Sequence, residues 1–240
     1  MPSARPNSKT RLARSLAVAV IALIPAACEG DGQAEKLDRM VAAEAQAADH
    51  NGDTAGAIRL YGALYDSNRT DVTVIEALAR NLRRAGQAQN AWTLLAEAVT
   101  RLGPQPQPRL LVEKGKAEIA LGRAELAVPT LQAAVAAAPG AAEPPATLAI
   151  AFDRLGRYDE AAVQYTTALG LNPDNADVLN NFALSRALSG RIDEGVELLR
   201  KAAAKPSASP RIRENLTFLE SLRTRPQPPG PGAMPAPVVR

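Results

Sequence analysis

The chain of 240 residues is 46% hydrophobic but only 3% aromatic. Alanine, the best helix former, supplies much of the apolar content, which points to closely packed helices and away from a core filled by large rings. The formal charge of +3 comes from residues 1–27, where Arg5, Lys9, Arg11 and Arg14 meet no acid; without those four the remainder carries −1, which argues against a basic nucleic-acid surface.

Residues 1–15 are polar and basic, 16–24 form an unbroken apolar run, and Pro25-Ala26-Ala27 follows. This is the pattern of a secretory signal peptide over 1–27, and the apolar run is far short of the ~20 residues a membrane-spanning helix needs. Cys28, directly after Ala26-Ala27, resembles the lipobox cysteine of a bacterial lipoprotein. The resemblance implies cleavage before Cys28, lipid on its thiol and amine, and a periplasmic protein anchored to the outer membrane. Pro25 departs from that motif, which has a bulky aliphatic residue there; ordinary cleavage near Ala26 or Ala27, leaving a soluble secreted protein, is the alternative. Residues 28–37, containing EGDGQAE, read as a flexible tether. Cys28 and His50 are the only cysteine and histidine, so an internal disulfide is excluded and the three or four ligands of a metal cage are missing. With Cys28 in the leader and His50 in an expected turn, they make no nucleophile pair.

From residue 38 onward the chain is periodic. Gly52, Gly86, Gly122, Gly156 and Gly190 recur at spacings of 34, 36, 34 and 34. Five residues after each stands a tiny residue: Ala57, Ala91, Ala127, Ala161 or Gly195. Nine after each stands Tyr61, Leu95, Leu131, Tyr165 or Leu199; twelve after, Leu64, Ala98, Ala134, Ala168 or Ala202. Each column has a physical reading. The glycine ends a first helix in the left-handed region, the tiny residue lets a second helix approach closely, and the large residue fills the gap to the next pair. Pro139 and Pro173 stop second helices where a missing N–H does no harm.

These columns resemble the tetratricopeptide repeat, a 34-residue helix–turn–helix unit. Residues 142–175 match it best, through Leu148-Ala149, Phe152, Gly156, Tyr158, Ala161, Tyr165, Ala168 and Pro173. Residues 176–209 follow through Leu179, Phe182-Ala183, Gly190, Gly195, Leu199 and Ala202. Residues 72–107 and 108–141 are good copies, and 38–71 is degenerate, with Glu44 where leucine is usual. The family's first-helix Trp is missing, and Trp92 falls in a second helix instead. The resemblance implies an all-α solenoid of five repeats over 38–223. The spacing of 36 places a two-residue insertion in the Pro-rich stretch 103–108, which reads either as a longer loop or as a loosened junction. Pro210 to Leu222 reads as an amphipathic helix capping the apolar end of the stack. The Pro/Gly-rich stretch 224–240 reads as a disordered tail, with a proline-rich ligand for another protein as the alternative.

In such a solenoid the first helices line the concave face. The repeat register places Arg80, Arg83, Arg84, Arg109, Lys116, Arg154, Asn180 and Asn181 there, and the cap adds Asn215. Arginines on a concave face are suited to a carboxylate or an acidic segment, and asparagines to an extended backbone. The alternative is solvated charge partly neutralised by Glu76, Glu113 and Asp153. No phosphate loop, GxSxG elbow or HExxH motif is present, and Asp159-Glu160 and Asp193-Glu194 are explained by the dipoles of the helices they open. An enzyme, a cofactor and a metal are therefore not expected; a protein partner is.

The C-terminal third carries a narrower resemblance. Residues 180–204, with Asn180-Asn181-Phe182-Ala183-Leu184 and Leu198-Leu199-Arg200-Lys201-Ala202, lead into Ser209-Pro210-Arg211-Ile212-Arg213-Glu214-Asn215-Leu216. This ending resembles the TadD family, repeat-containing lipoproteins of the tight-adherence (Flp) pilus machinery. It implies a pilotin-like factor that binds the pilus secretin or its subunits. The alternative is a periplasmic or outer-membrane scaffold for a cell-envelope enzyme or polysaccharide export complex.

Overall fold

The computed structural model describes residues 31–105 and 107–224. The expected signal peptide, Cys28 and the tail beyond Thr224 lie outside the described residues. Eleven helices and no strand occur among the described residues. They are α1 (Asp31–His50), α2 (Thr54–Ser67), α3 (Val72–Arg84), α4 (Ala88–Leu102), α5 (Pro108–Ala120), α6 (Ala124–Ala137), α7 (Glu143–Arg154), α8 (Tyr158–Leu171), α9 (Ala176–Leu188), α10 (Ile192–Ala203) and α11 (Pro210–Thr224).

The chain divides into two units, residues 1–41 and 42–240. Of the first, residues 31–41 are helical, with Arg39 paired to Glu35 one turn back. This corrects the flexible tether expected over 28–37, which is helical from Asp31 onward. Gln33, Ala34, Glu35, Lys36 and Leu37 are all good helix formers, and only Gly32 among these residues resists.

In the second unit one turn geometry recurs at every pair. Gly52, Gly86, Gly122, Gly156 and Gly190 all have φ between 71° and 84°, where a Cβ would be strained. The residue after each glycine donates its N–H to the carbonyl five residues back: Asp53 to Ala48, Gln87 to Leu82, Arg123 to Glu118, Arg157 to Phe152 and Arg191 to Arg186, at 2.8–2.9 Å. This satisfies carbonyls that the helix end would otherwise leave open. Local side chains close several starts as well: Asp71 accepts from the N–H groups of Thr73 and Val74, and Asn175 from that of Val178.

The sequence columns become layers of the core. Ala57, Ala91, Ala127 and Ala161 are fully buried, as are Leu95, Leu131 and Leu199, with Tyr61 and Tyr165 nearly so. Each buried large side chain contributes about 1.5–3 kcal/mol. A matching column on the first helices, Ala45, Ala79, Gly115, Ala149 and Ala183, is equally small and buried. The two small columns meet where Gly195 lies against the Ala183 carbonyl. Tyr165 of α8 stacks on Phe182 of α9 with ring centres 5.3 Å apart, joining the fourth repeat to the fifth. Helix α11 closes the stack by burying Ile212 and Leu219 in the cluster formed by Leu179, Val196 and Leu199.

The first helices of successive pairs touch one another, α3 on α5, α5 on α7, α7 on α9 and α9 on α11. Among the described residues no comparable packing joins one second helix to another, so the first helices line the inner face. Despite the inserted proline-rich stretch, α4 packs on α5 as α2 packs on α3. The insertion is a longer loop, left through Gly103 at φ 82° and ended by Pro108 in the first turn of α5.

Candidate binding face

The N-terminal half of the inner face is charged and internally paired. Arg80 and Arg84 of α3 both reach Asp49 of α1, at 3.3 and 2.7 Å. Arg109 Nε of α5 stands 2.6 Å from Glu76 Oε2, an ion pair without hydrogen-bond alignment. Arg83 and Lys116 converge on the buried Glu113 at 3.3 and 2.8 Å, and Lys116 also reaches Glu143 at 2.7 Å. The five sequence-predicted cations on α3 and α5 thus meet four carboxylates of their own chain. Around Asp49, Glu76, Arg80, Arg84 and Arg109 a cleft of about 470 Å³ opens, with His50 and Tyr61 also on its wall. Burial, followed by the nearby Asp49 carboxylate, pushes the Tyr61 phenol up from its ordinary value.

The remaining predicted residues do not join this group. Asn180 is 1% exposed: its Oδ1 accepts from Asn215 Nδ2 at 2.8 Å and its Nδ2 donates to Asn181 at 3.2 Å. It ties the cap to α9 and is covered by it, so it is not open to an incoming backbone as expected from the register. Arg154 lies exposed at the end of α7. Its neighbour Asp153 turns inward, accepting from Tyr165 at 2.7 Å and Ser185 at 2.6 Å and so linking α7, α8 and α9. Burial raises the Asp153 carboxyl, against the lowering effect of those hydrogen bonds and of Arg154. Tyr165 is driven far up by its own burial and by the charge of Asp153.

The inner face also changes polarity along its length, a feature the cation-centred sequence reading missed. The residues six before each turn glycine run Gln46, Arg80, Lys116, Ile150, Leu184, and those two before run His50, Arg84, Ala120, Arg154, Leu188. Ile150 and Leu184 are half-buried and Leu188 is 67% exposed. The alternation was present in the sequence, but it emerges only when the columns are read down the repeats.

Repeat three departs from its neighbours elsewhere. Lys114 and Glu118 occupy positions that hold Leu148 and Phe152 in repeat four. Glu118 is 1% exposed; its Oε1 accepts from Lys114 Nζ at 2.6 Å and from the Trp92 indole at 3.1 Å. Lys114 also donates to Thr130 at 3.2 Å, so one buried carboxylate joins α4, α5 and α6 beside the inserted loop.

Among the described residues no helix is long and apolar enough to cross a membrane, and no cluster of three or more His, Cys, Asp or Glu is placed to hold a metal. The tetratricopeptide repeat family model matches residues 76–142 and 147–210, together more than half of the chain. The chain belongs to the tetratricopeptide repeat (TPR) family. Solved TPR structures superpose on it. A thermophilic TPR protein of Thermus thermophilus is 20% identical, with 77% of this chain and 99% of that one covered at a TM-score of 0.70. MamA of Desulfovibrio magneticus RS-1 is 19% identical over 82% of this chain and 100% of that one, TM-score 0.56. YrrB, described as a TPR protein with an unusual peptide-binding site, is 19% identical over 75% and 88%, TM-score 0.52. At these identities the likeness carries the fold. No curated protein matches the sequence significantly. TPR solenoids act as protein–protein interaction scaffolds, typically without catalysis, and this chain has that architecture.

Proposed function

We propose that the protein is a cell-envelope scaffold that grips a partner protein on the inner face of its first helices. In this reading it is a pilotin-like lipoprotein serving the secretin of a tight-adherence (Flp) pilus. The observation that carries the gripping role is the inner face itself, where successive first helices place polar and apolar side chains side by side along one surface. The peptide-binding site in the name of YrrB supports a polypeptide as the ligand class. The envelope assignment is supported by the leader, by Cys28 directly after Ala26-Ala27, and by the Ser209-Pro210-Arg211-Ile212-Arg213-Glu214-Asn215-Leu216 ending. Several acyl chains on one cysteine hold a protein stably at a membrane, which a single chain does not.

The test is fractionation with affinity purification of the full chain from membranes. The wild type is expected in the outer-membrane fraction, labelled by palmitate and accompanied by the secretin; Cys28→Ser is expected to be released and unlabelled. A variant that fractionates and labels like the wild type removes the anchor from the proposal. Recovery of cell-envelope enzymes or export components, and never of a secretin, replaces the pilus role with an accessory scaffold.

A further inference from the structure

We propose that the C-terminal half of the inner face is a docking lane for a partner segment that presents large apolar side chains with an acidic side chain beside them. This rests on the scaffold reading and specifies what the scaffold accepts.

The apolar part of the lane comes from three helices. Ile150 of α7 and Leu184 of α9 lie half-buried on the inner-face columns, and Leu188 at the end of α9 is 67% exposed. Phe218 of α11 is 57% exposed, and its direction follows from the contacts of its own helix. One flank of α11 turns to the second helix α10, through Glu220 and Arg200 at 2.8 Å. The opposite flank turns to the first helix α9, through Asn215 and Asn180 at 2.8 Å. At ~100° per residue Phe218 lies about 60° beyond Asn215, away from α10, and so on the inner side. Large apolar side chains gathered on one concave surface mark a surface made to be covered.

The charge of the occupant follows from the cations. Arg80, Arg83, Arg84, Arg109 and Lys116 all face carboxylates of this chain. Arg154 is exposed and has no ion pair or side-chain hydrogen bond among the described residues, because the adjacent Asp153 directs its oxygens at Tyr165 and Ser185; Arg211 of α11, exposed and within about 20° of Phe218 by the same count, is likewise without an ion pair. Arg154 shares its column with Leu188, one repeat away. One guanidinium forks onto one carboxylate. A free chain terminus is captured by a nest of backbone N–H groups or a cluster of cations. A face of unbroken helices offers no nest, and Arg154 on α7 and Arg211 on α11 are separated by α9 and form no cluster, so the carboxylate is an acidic side chain within the segment.

The test uses fluorescent acetylated, C-amidated peptides that alternate leucine with glutamate, with two controls carrying lysine for glutamate or alanine for leucine. Anisotropy with the full-length chain is expected to favour the leucine–glutamate peptide over each control by about tenfold or more. Leu188→Asp and, separately, Phe218→Asp are expected to weaken it by about tenfold, and Arg154→Glu to invert the preference between glutamate and lysine. The three side chains are exposed, and unchanged circular dichroism of the variants confirms that the fold is intact. Binding that ignores these changes but is lost on Arg80→Glu, Arg83→Glu and Arg84→Glu together overturns the lane and leaves the scaffold reading standing. If no peptide binds, the lane is likewise overturned, and secretin capture from membranes decides the scaffold reading by itself.

Discussion

Replacing Gly195 with alanine is expected to destabilise the C-terminal end of the solenoid by about 1–3 kcal/mol, although alanine is the better helix former. The new methyl group would sit 2.7 Å from the Ala183 carbonyl oxygen and 3.1 Å from Leu219 Cδ1. A comfortable contact needs about 3.5 Å, so α9 and α10 must part by roughly 0.5–1 Å, and a gap of that size forfeits a quarter to a half of each affected dispersion contact. The contacts at risk are those of Val196, Leu199, Ile212 and Leu219 in the terminal cluster. Gly62 in α2 is the control: a Cβ there meets nothing within 4 Å, so Gly62→Ala is expected to stabilise by about 0.5–1 kcal/mol. Urea unfolding followed by circular dichroism ranks the variants. Because a repeat array need not unfold as one unit, amide exchange in α9–α11 locates the loss. A Gly195→Ala protein as stable as wild type, with unchanged exchange in those helices, would show that the pair relaxes to the spacing set by alanine in the other four repeats. The close contact would then not be a requirement of the fold.

Two further changes probe the buried polar groups. Lys114→Met leaves the Glu118 carboxylate buried without its cation and is expected to cost about 3 kcal/mol, while the double change Lys114→Leu/Glu118→Phe, which copies repeat four, is expected to return stability to within about 1 kcal/mol of wild type or above it. Trp92, the chain's single tryptophan, bonds directly to Glu118 and reports both by fluorescence; equal losses in the single and double variants would refute the compensation. Asp153 has a folded pKa above its ordinary 3.8, so its stabilising contribution is present below the unfolded value and fades as pH rises through the folded one. Asp153→Asn lacks that slope, and its urea midpoint is expected to gain on the wild type as pH rises from about 4; a constant difference would contradict this.

The fold was legible because the restraints that set it are local or strictly periodic. A left-handed glycine, a tiny residue five positions later and a large one nine later can each be read without knowing the partner helix, and all five turns obey them. The candidate site was less legible because its electrostatics connect residues about one repeat apart. Arg83 and Glu113, or Lys116 and Glu143, meet only after the pairs have stacked, so cations that look available in the sequence are already engaged. Asn180 misled for the same reason: Asn215, the cap residue that covers it, lies 35 residues further along and meets it only once the cap has docked. The start of α1 differs because the helix formers from Gln33 to Leu37 outweigh the single Gly32 before them.

The drift in polarity along the inner face also removes an ambiguity inherent in repetition. Identical repeats would offer a bound chain several equivalent seats, each displaced by one unit, and such a chain could slip between them or lie in either direction. Here the six-before column passes from Gln46 through Arg80 and Lys116 to Ile150 and Leu184, so a charged pair of seats is set apart from an aliphatic pair. A shift by one repeat sets charge against hydrocarbon at the junction between Lys116 and Ile150, and a reversal about that junction does so on both sides of it. In the proposed scaffold role, that junction would set both the alignment and the heading of a bound segment.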